Sequence, residues 1–274
     1  SNERNSNERN SNERNSNERN SNWGEIVPGN ERIMGALPFF HVFAMTVVMN
    51  MGIHVGAKII MHPRFELKAV LKDIHDKKVT LMPGVPTMYT AILNYPKLDD
   101  YNLSSIKACL SGGAPLPQEV KQGFESLTGC SLVEGYGLTE TSPVACANPL
   151  NGLNKVNSVG LPMPGTTIAI SDKDDPHKIL EQGEIGEICI SGPQVMKGYW
   201  KRPDVTAEMV IGGRFRTGDV GYLDEDGYTF IIDRIKDLIL VGGFNVYPRN
   251  VEEAIYQHPA IAETTVIGVP DAYS

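Results

Sequence analysis

The 274 residues carry 25 Lys and Arg against 33 Asp and Glu, a formal net charge of −8, and 41% of them are hydrophobic. That balance excludes a chain disordered throughout, and it offers no basic cluster to displace phosphate counterions, so no nucleic-acid partner is expected. Cys109, Cys130, Cys146 and Cys189 form no Cys-x-x-Cys pair, which argues against a zinc site or disulfide scaffold and for a reducing, cytoplasmic setting. Residues 1–22 are four copies of Ser-Asn-Glu-Arg-Asn and a trailing Ser-Asn. They contain nothing apolar to bury and are read as an artefact outside the fold. From Ile33 to Ala57 no residue is charged. The run is long enough to span a bilayer, yet Pro38, His41, Asn50 and His54 interrupt it, and a buried strand and helix wall is expected instead of a transmembrane span.

Leu67, Val70, Leu71 and Ile74 then recur at helical spacing, and Val79-Thr-Leu-Met82 is a short β-type run closed by Pro83-Gly84. A second helix is expected from near Pro86. The apolar run Ile106–Leu110 leads to the turn Ser111-Gly-Gly113 and a helix with Val120, Phe124 and Leu127 on one face; Leu132-Val133 reads as another strand. Strands alternating with helices imply an α/β fold of βα units with a parallel sheet, whose ligands sit at the carboxyl ends of the strands. Beyond residue 150 the runs Thr167–Ile170 and Ile185–Ile190 are short and β-like, with no long helical period before residue 250, which predicts a β-rich subdomain. Asp226-Gly227 signals a hairpin between Val220–Leu223 and Tyr228–Ile232. Asp224-Glu-Asp226-Gly lacks the remaining ligands of a calcium loop. Asp237–Val241 reads as a strand, Val251, Ala254, Ile255 and His258 as one face of a helix, and Thr264–Val269 as a further strand.

Glu134-Gly-Tyr-Gly-Leu-Thr-Glu-Thr141 is the stretch richest in chemistry. Gly135 and Gly137 allow close backbone approach, Tyr136 offers a ring face for a base, Thr139 can bond a phosphate oxygen, and Glu140 is a hard oxygen ligand for Mg²⁺. Taken alone, the same residues also suit a plain strand-end turn.

Five segments in order tie the chain to a known family. They are Leu37-Pro-Phe-Phe-His-Val-Phe43, Ser111-Gly-Gly-Ala-Pro-Leu116, Glu134–Pro143, Arg216-Thr-Gly-Asp-Val-Gly-Tyr222, and Asp233-Arg-Ile-Lys-Asp-Leu-Ile239 with Gly242-Gly-Phe-Asn-Val-Tyr-Pro248. Over residues 31–274 the chain resembles the adenylate-forming superfamily of acyl-CoA synthetases, luciferases and peptide-synthetase adenylation domains. Its wording is most similar to bacterial long-chain fatty acid:CoA ligases. The resemblance implies a partial large AMP-binding domain over 23–232, α/β to about residue 150 and β-rich after it. A hinge at 233–236 and the start of a small α+β C-terminal domain over 237–274 would follow.

It also implies ATP, Mg²⁺ and coenzyme A as cofactors, and a fatty acid as the acid that is first adenylated and then passed to a thiol. By motif, Tyr136 would stack on adenine with Gly112, Gly113, Ala114 and Pro115 lining the slot beside Glu134, Gly135 and Gly137. Thr139 would hold phosphate and Glu140 the metal. Asp219 would accept the ribose hydroxyls, for which a carboxylate offers two acceptors. Arg234 would contact the ribose, Lys236 would be the hinge residue, and Gly242-Gly243 would reach the site for thioester formation. Read without the family, Asp219 is a turn cap, Arg234 a surface ion pair, and Gly242-Gly243 a hairpin turn.

His41, Phe43 and Gly113 mark the start of the family's acyl pocket, and no Asp stands there to pair with a substrate amine, which favours an apolar acid. His41 on its own is equally a satisfied core histidine. The family's phosphate loop and its C-terminal catalytic lysine have no counterpart in this sequence, so the chain by itself is expected to adenylate poorly. A membrane-derived acid also makes weak peripheral association with the inner membrane face an expectation.

Overall fold

The computed structural model describes residues 26–241, 244–256, 258, 260–261 and 264–270. They fall into two compact units: the chain up to Thr166 with Gly192–Met196, and Thr167–Ser191 with the residues from Lys197 onward.

In the first unit β1 (Arg32–Gly35) and β2 (Lys58–Met61) pair in parallel. Leu81 bridges Ile33 on one side and Ala108 on the other, so the run after the second crossover sits between β1 and β3 (Ala108–Ser111). Parallel β4 (Ser131–Gly137) follows, then antiparallel β5 (Val144–Ala147) and β6 (Ser158–Pro162), two strands absent from the sequence reading. The helices Leu67–Lys77, Pro86–Leu93 and Gln118–Thr128 supply the crossovers that parallel pairing requires.

Each of these helices has a local reason to begin or end. The Glu66 carboxylate caps the helix Leu67–Lys77 by accepting the N–H groups of Lys68 (3.3 Å) and Ala69 (2.8 Å). Pro86 starts the next at its first turn, where a missing N–H costs nothing. Gly129, at φ +74°, closes the third. In that helix the buried positions are Phe124 and Thr128, whereas Leu127 is 41% exposed, which corrects the expected face. The stripe advances by four residues because the Thr128 hydroxyl satisfies itself on the Phe124 carbonyl at 2.7 Å and can be buried.

The uncharged stretch forms β1, a turn, a π-helical segment Ala44–Asn50 and an α-helical turn Met51–His54. Among the described residues no helix is long and apolar enough to cross a membrane. Ile33, Met34, Val48, Leu71, Ile74 and Met82 pack around Tyr89 and Phe124, whose rings meet edge to face at 5.0 Å. The Tyr89 hydroxyl donates to the Met82 carbonyl at 2.8 Å, so the core closes over its polar tip.

Glu31, 1% exposed, accepts from the Thr80 hydroxyl (2.5 Å), the Val27 N–H (3.0 Å) and the Lys107 ammonium (3.1 Å). Burial pushes its carboxyl up, but these three donors outweigh burial and hold it below the ordinary glutamate value. A folded-state value below the unfolded one means stabilisation that is present above the unfolded value and is lost as pH falls through the folded one. Glu31→Gln is expected to cost about 1–3 kcal/mol at neutral pH and to flatten the acid limb of melting temperature against pH. An unchanged acid limb would contradict this role.

In the second unit β7 (Thr167–Ser171), β8 (Gly186–Ser191), β9 (Val210–Ile211), β10 (Arg214–Leu223) and β11 (Thr229–Arg234) form an antiparallel sheet in the order β7-β8-β10-β11, with β9 on the start of β10. Its core is Ile168, Ile170, Ile188, Ile190 and Phe215. The turn into β11 is made by Gly227 at φ +81° and by the Asp224 carboxylate, which accepts the N–H groups of Asp226 (3.0 Å) and Tyr228 (2.9 Å).

A short helix, Pro203–Met209, started by its proline, lies within the β-rich stretch. Two expectations for this unit need correction. In the helix Pro248–Tyr256, Val251 and Ala254 are exposed and Ile255 is half-buried, while His258 lies past its end. Thr264–Val269 forms no strand, and the Val266 N–H goes to the Glu252 carboxylate at 2.8 Å instead of a ladder partner. β12 (Ile239–Val241) and β13 (Phe244–Val246) make a hairpin preceded by a 3₁₀ turn, Ile235–Asp237, that holds Lys236 exposed. Gly242 and Gly243 lie outside the described residues.

Candidate active site

Parallel strands gather their carboxyl ends at one edge of the sheet, and β3 and β4 end there on a cavity of about 310 Å³. Four stretches converge on it: 41–43, 110–113, 135–140 and 143–144. Tyr136, Thr139 and Glu140 come from one of them, His41 and Phe43 from another, and the backbone of Gly112 and Gly113 from a third.

The loop after β4 is held tightly. A Cβ on Gly137 would lie 1.8 Å from the Pro143 carbonyl oxygen, so only glycine lets the two strands of this loop close. The fully buried Thr141 hydroxyl accepts the Leu138 N–H at 2.9 Å and donates to the Pro143 carbonyl. The returning stretch 192–196 adds two further ties. The Met196 N–H donates to the Glu140 carbonyl at 2.8 Å, and the Gln194 amide donates to the Thr166 hydroxyl at 2.7 Å. Thr139 is thereby left exposed and Glu140 half-buried in the cavity wall, on backbone that has little freedom to move.

On the opposite wall the His41 ring accepts the Phe43 N–H through Nδ1 at 3.2 Å, which caps the helix that follows. His41 is exposed and Phe43 buried, and the helix runs at once into the π segment, a geometry often found beside functional sites. Phe43 packs on Gly112, where a Cβ would stand 3.3 Å from its ring.

Not every residue named from sequence is in the cavity wall. Ala114 and Pro115 are exposed beyond it, and the Glu134 carboxylate accepts the Leu116 N–H at 3.3 Å. The apolar wall of Val42, Leu138 and Val144 was not anticipated, nor was Ser111, whose buried hydroxyl has no hydrogen-bond partner. A wider hollow, about 590 Å³, runs along Lys197–Val210 in the second unit. It is lined by one continuous stretch of chain, whereas the smaller cavity joins four, and the smaller one is therefore the better candidate.

In the second unit Asp219 sits on a bulge. Arg216 pairs with Cys189 and Val220 with Glu187, so four steps along β10 match two along β8, and Thr217, Gly218 and Asp219 stand out of the ladder. Gly218, at φ +75°, makes the bend. The displaced backbone groups find side chains instead. The Thr217 hydroxyl donates to the Ile188 carbonyl (2.8 Å) and accepts the Asp219 N–H (3.0 Å), and the Gly218 N–H donates to the Glu187 carboxylate (3.0 Å). Asp219 is register partner to Arg234, with 3.8 Å between Oδ1 and Nε.

The cavity's donor set fits Mg²⁺ in one specific way. Among the described residues there is no group of three or more His, Cys, Asp or Glu side chains able to hold a metal, so Glu140 offers a single carboxylate. Mg²⁺ is commonly held by one or two carboxylates together with phosphate oxygens and water, and the neighbouring Thr139 hydroxyl suits a phosphate.

The AMP-binding enzyme family matches residues 10–200. A long-chain-fatty-acid–CoA ligase of Bacillus subtilis is 51% identical over 249 residues, covering 91% of this chain and 44% of that protein. A feruloyl-CoA synthase of Amycolatopsis is 40% identical over 243 residues, covering 88% and 49%. The o-succinylbenzoate coenzyme A synthetase of Bacillus subtilis, solved with ATP and magnesium ion, superposes with a TM-score of 0.79 at 33% identity, covering 89% of this chain and 50% of that one. The chain thus spans a little under half the length of the curated relatives it matches. Since the match extends over more than half of its residues, the chain belongs to the AMP-binding enzyme family.

Proposed function

We propose that this chain is the central part of an AMP-forming acid:CoA ligase acting on long-chain fatty acids. The observation that carries the reading is the convergence of Tyr136, Thr139 and Glu140 with the Gly112-Gly113 backbone and His41 in one cavity at the strand ends. In the first half-reaction the acid's carboxylate oxygen attacks the α-phosphorus of ATP, and the bond to pyrophosphate breaks. In the second, the CoA thiol loses its proton and attacks the acyl carbonyl, and AMP leaves.

Tyr136 supplies a ring face for adenine and Thr139 a hydroxyl for phosphate, on a loop already fixed by Thr141. Glu140 would hold Mg²⁺, which when bound supplies charge stabilisation at the phosphates. Asp219 accepts the ribose hydroxyls in this reading, with Arg234 beside it, and Lys236 lies where the small domain turns. Phe43 and the apolar wall of the cavity favour an unbranched apolar acid, as does the 51% identity to a relative named for long-chain fatty acids. The protein acts in the cytoplasm and takes its acid from the membrane face.

An aryl acid is the second reading, favoured by the 40% identity to a feruloyl-CoA synthase. To separate them, the chain is extended at both ends with the flanking sequence of the Bacillus subtilis ligase and supplied with ATP, CoA and either palmitate or ferulate. Palmitoyl-CoA is the expected product. Preference for ferulate would retain the ligase chemistry and overturn the fatty acid.

A further inference from the structure

Glu187 is 2% exposed, the second residue of β8, between Gly186 and Ile188. A carboxylate buried this deeply is costly unless its lone pairs are filled, and an apolar residue of similar volume commonly stabilises such a position equally well. Here the lone pairs are filled from one short segment. Oε1 accepts the Gly218 N–H at 3.0 Å, and Oε2 accepts Nε (2.8 Å) and Nη2 (2.7 Å) of Arg216. The carboxylate therefore grips the bulge on both sides of Thr217 and ends one residue short of Asp219. The Thr217 hydroxyl passes the constraint on by accepting the Asp219 N–H.

We propose that Glu187 is a positioning residue for the nucleotide's ribose: it fixes the Arg216–Asp219 bulge so that the Asp219 carboxylate is aimed to accept the ribose hydroxyls. The inference rests on the reading of Asp219 given above. Glu187 itself touches no substrate. Its contribution is to hold Asp219 in one orientation before the nucleotide arrives, which spares the cost of ordering it on binding. Gln at this position keeps the shape and one acceptor but turns an N–H toward donors, leaving Arg216 or Gly218 unsatisfied.

The test uses the extended chain and compares kcat/KM for ATP with that for 2′,3′-dideoxy-ATP, a ratio that reports ribose recognition and is indifferent to general loss of stability. Glu187→Gln is expected to reduce the preference for ATP by about tenfold, through KM for ATP more than kcat. Arg216→Lys, which keeps the charge but loses the fork, is expected to reduce it less and serves if the first variant folds poorly. Asp219→Asn must by itself abolish the preference. If it does and both other variants keep the native ratio, Glu187 only stabilises the strand and the inference is overturned. If Asp219→Asn keeps the ratio, the ribose reading itself fails.

Discussion

Glu140→Ala in the extended chain is expected to lower acyl-CoA formation by about 10²–10³-fold, the size of effect that follows loss of one preorganised electrostatic group around a reacting phosphate. The main-chain anchors of residue 140 do not involve its carboxylate. Its carbonyl is held by the Met196 N–H and the loop around it by Thr141, so these ties remain when the substitution removes the carboxylate proposed to hold Mg²⁺. The loss should appear as a raised Mg²⁺ requirement together with a fall in kcat. Turnover within a few-fold of the unsubstituted protein would remove Glu140 from the metal's coordination.

The second large effect concerns backbone. Gly137→Ala would place a methyl carbon 1.8 Å from the Pro143 carbonyl oxygen and 3.0 Å from the Val144 Cα, contacts with main chain that no rotamer change relieves. The loop must open, which forfeits the Thr141 hydrogen bonds beneath it and displaces Thr139 and Glu140 together. A cost of about 3 kcal/mol or more is expected from the overpacking, with activity lost besides. Gly113→Ala is the control, since its nearest outside atom lies at 3.7 Å and only its φ of +81° opposes a side chain. Equal melting temperatures for the Gly137 variant and the unsubstituted chain would contradict the close approach.

The βα alternation was readable because helical and strand periods differ and the first unit keeps them separate: Val70, Leu71 and Ile74 are fully buried as their spacing requires. The motif loop was readable for a different reason, since glycines at 135 and 137 announce a close approach whatever the fold. The rest depended on partners distant in sequence. β5 and β6 are antiparallel additions whose runs Val144–Ala147 and Ser158–Pro162 carry no alternation of their own. Leu127 faces outward because Thr128 can bury its hydroxyl locally, which no count of apolar positions reveals. Glu187 was overlooked inside a run read only as a strand. A lone acid among Ile185, Ile188 and Ile190, one strand from a Thr-Gly-Asp turn, is the signal that could have found it.

The return of residues 192–196 to the first unit has a consequence for synthesis. The chain leaves that unit after Thr166 and comes back only for Gly192–Met196, the stretch that ties down Glu140 and Thr166. On the ribosome, at roughly 5–20 residues per second, the first unit must therefore wait a few seconds after its last strand before its own clasp has been made. During that interval the loop after β4 has its internal hydrogen bonds but not its outer ones. No single cut in the chain yields the first unit whole, so splitting this protein for expression in two pieces requires the short clasp to be grafted back onto the N-terminal piece.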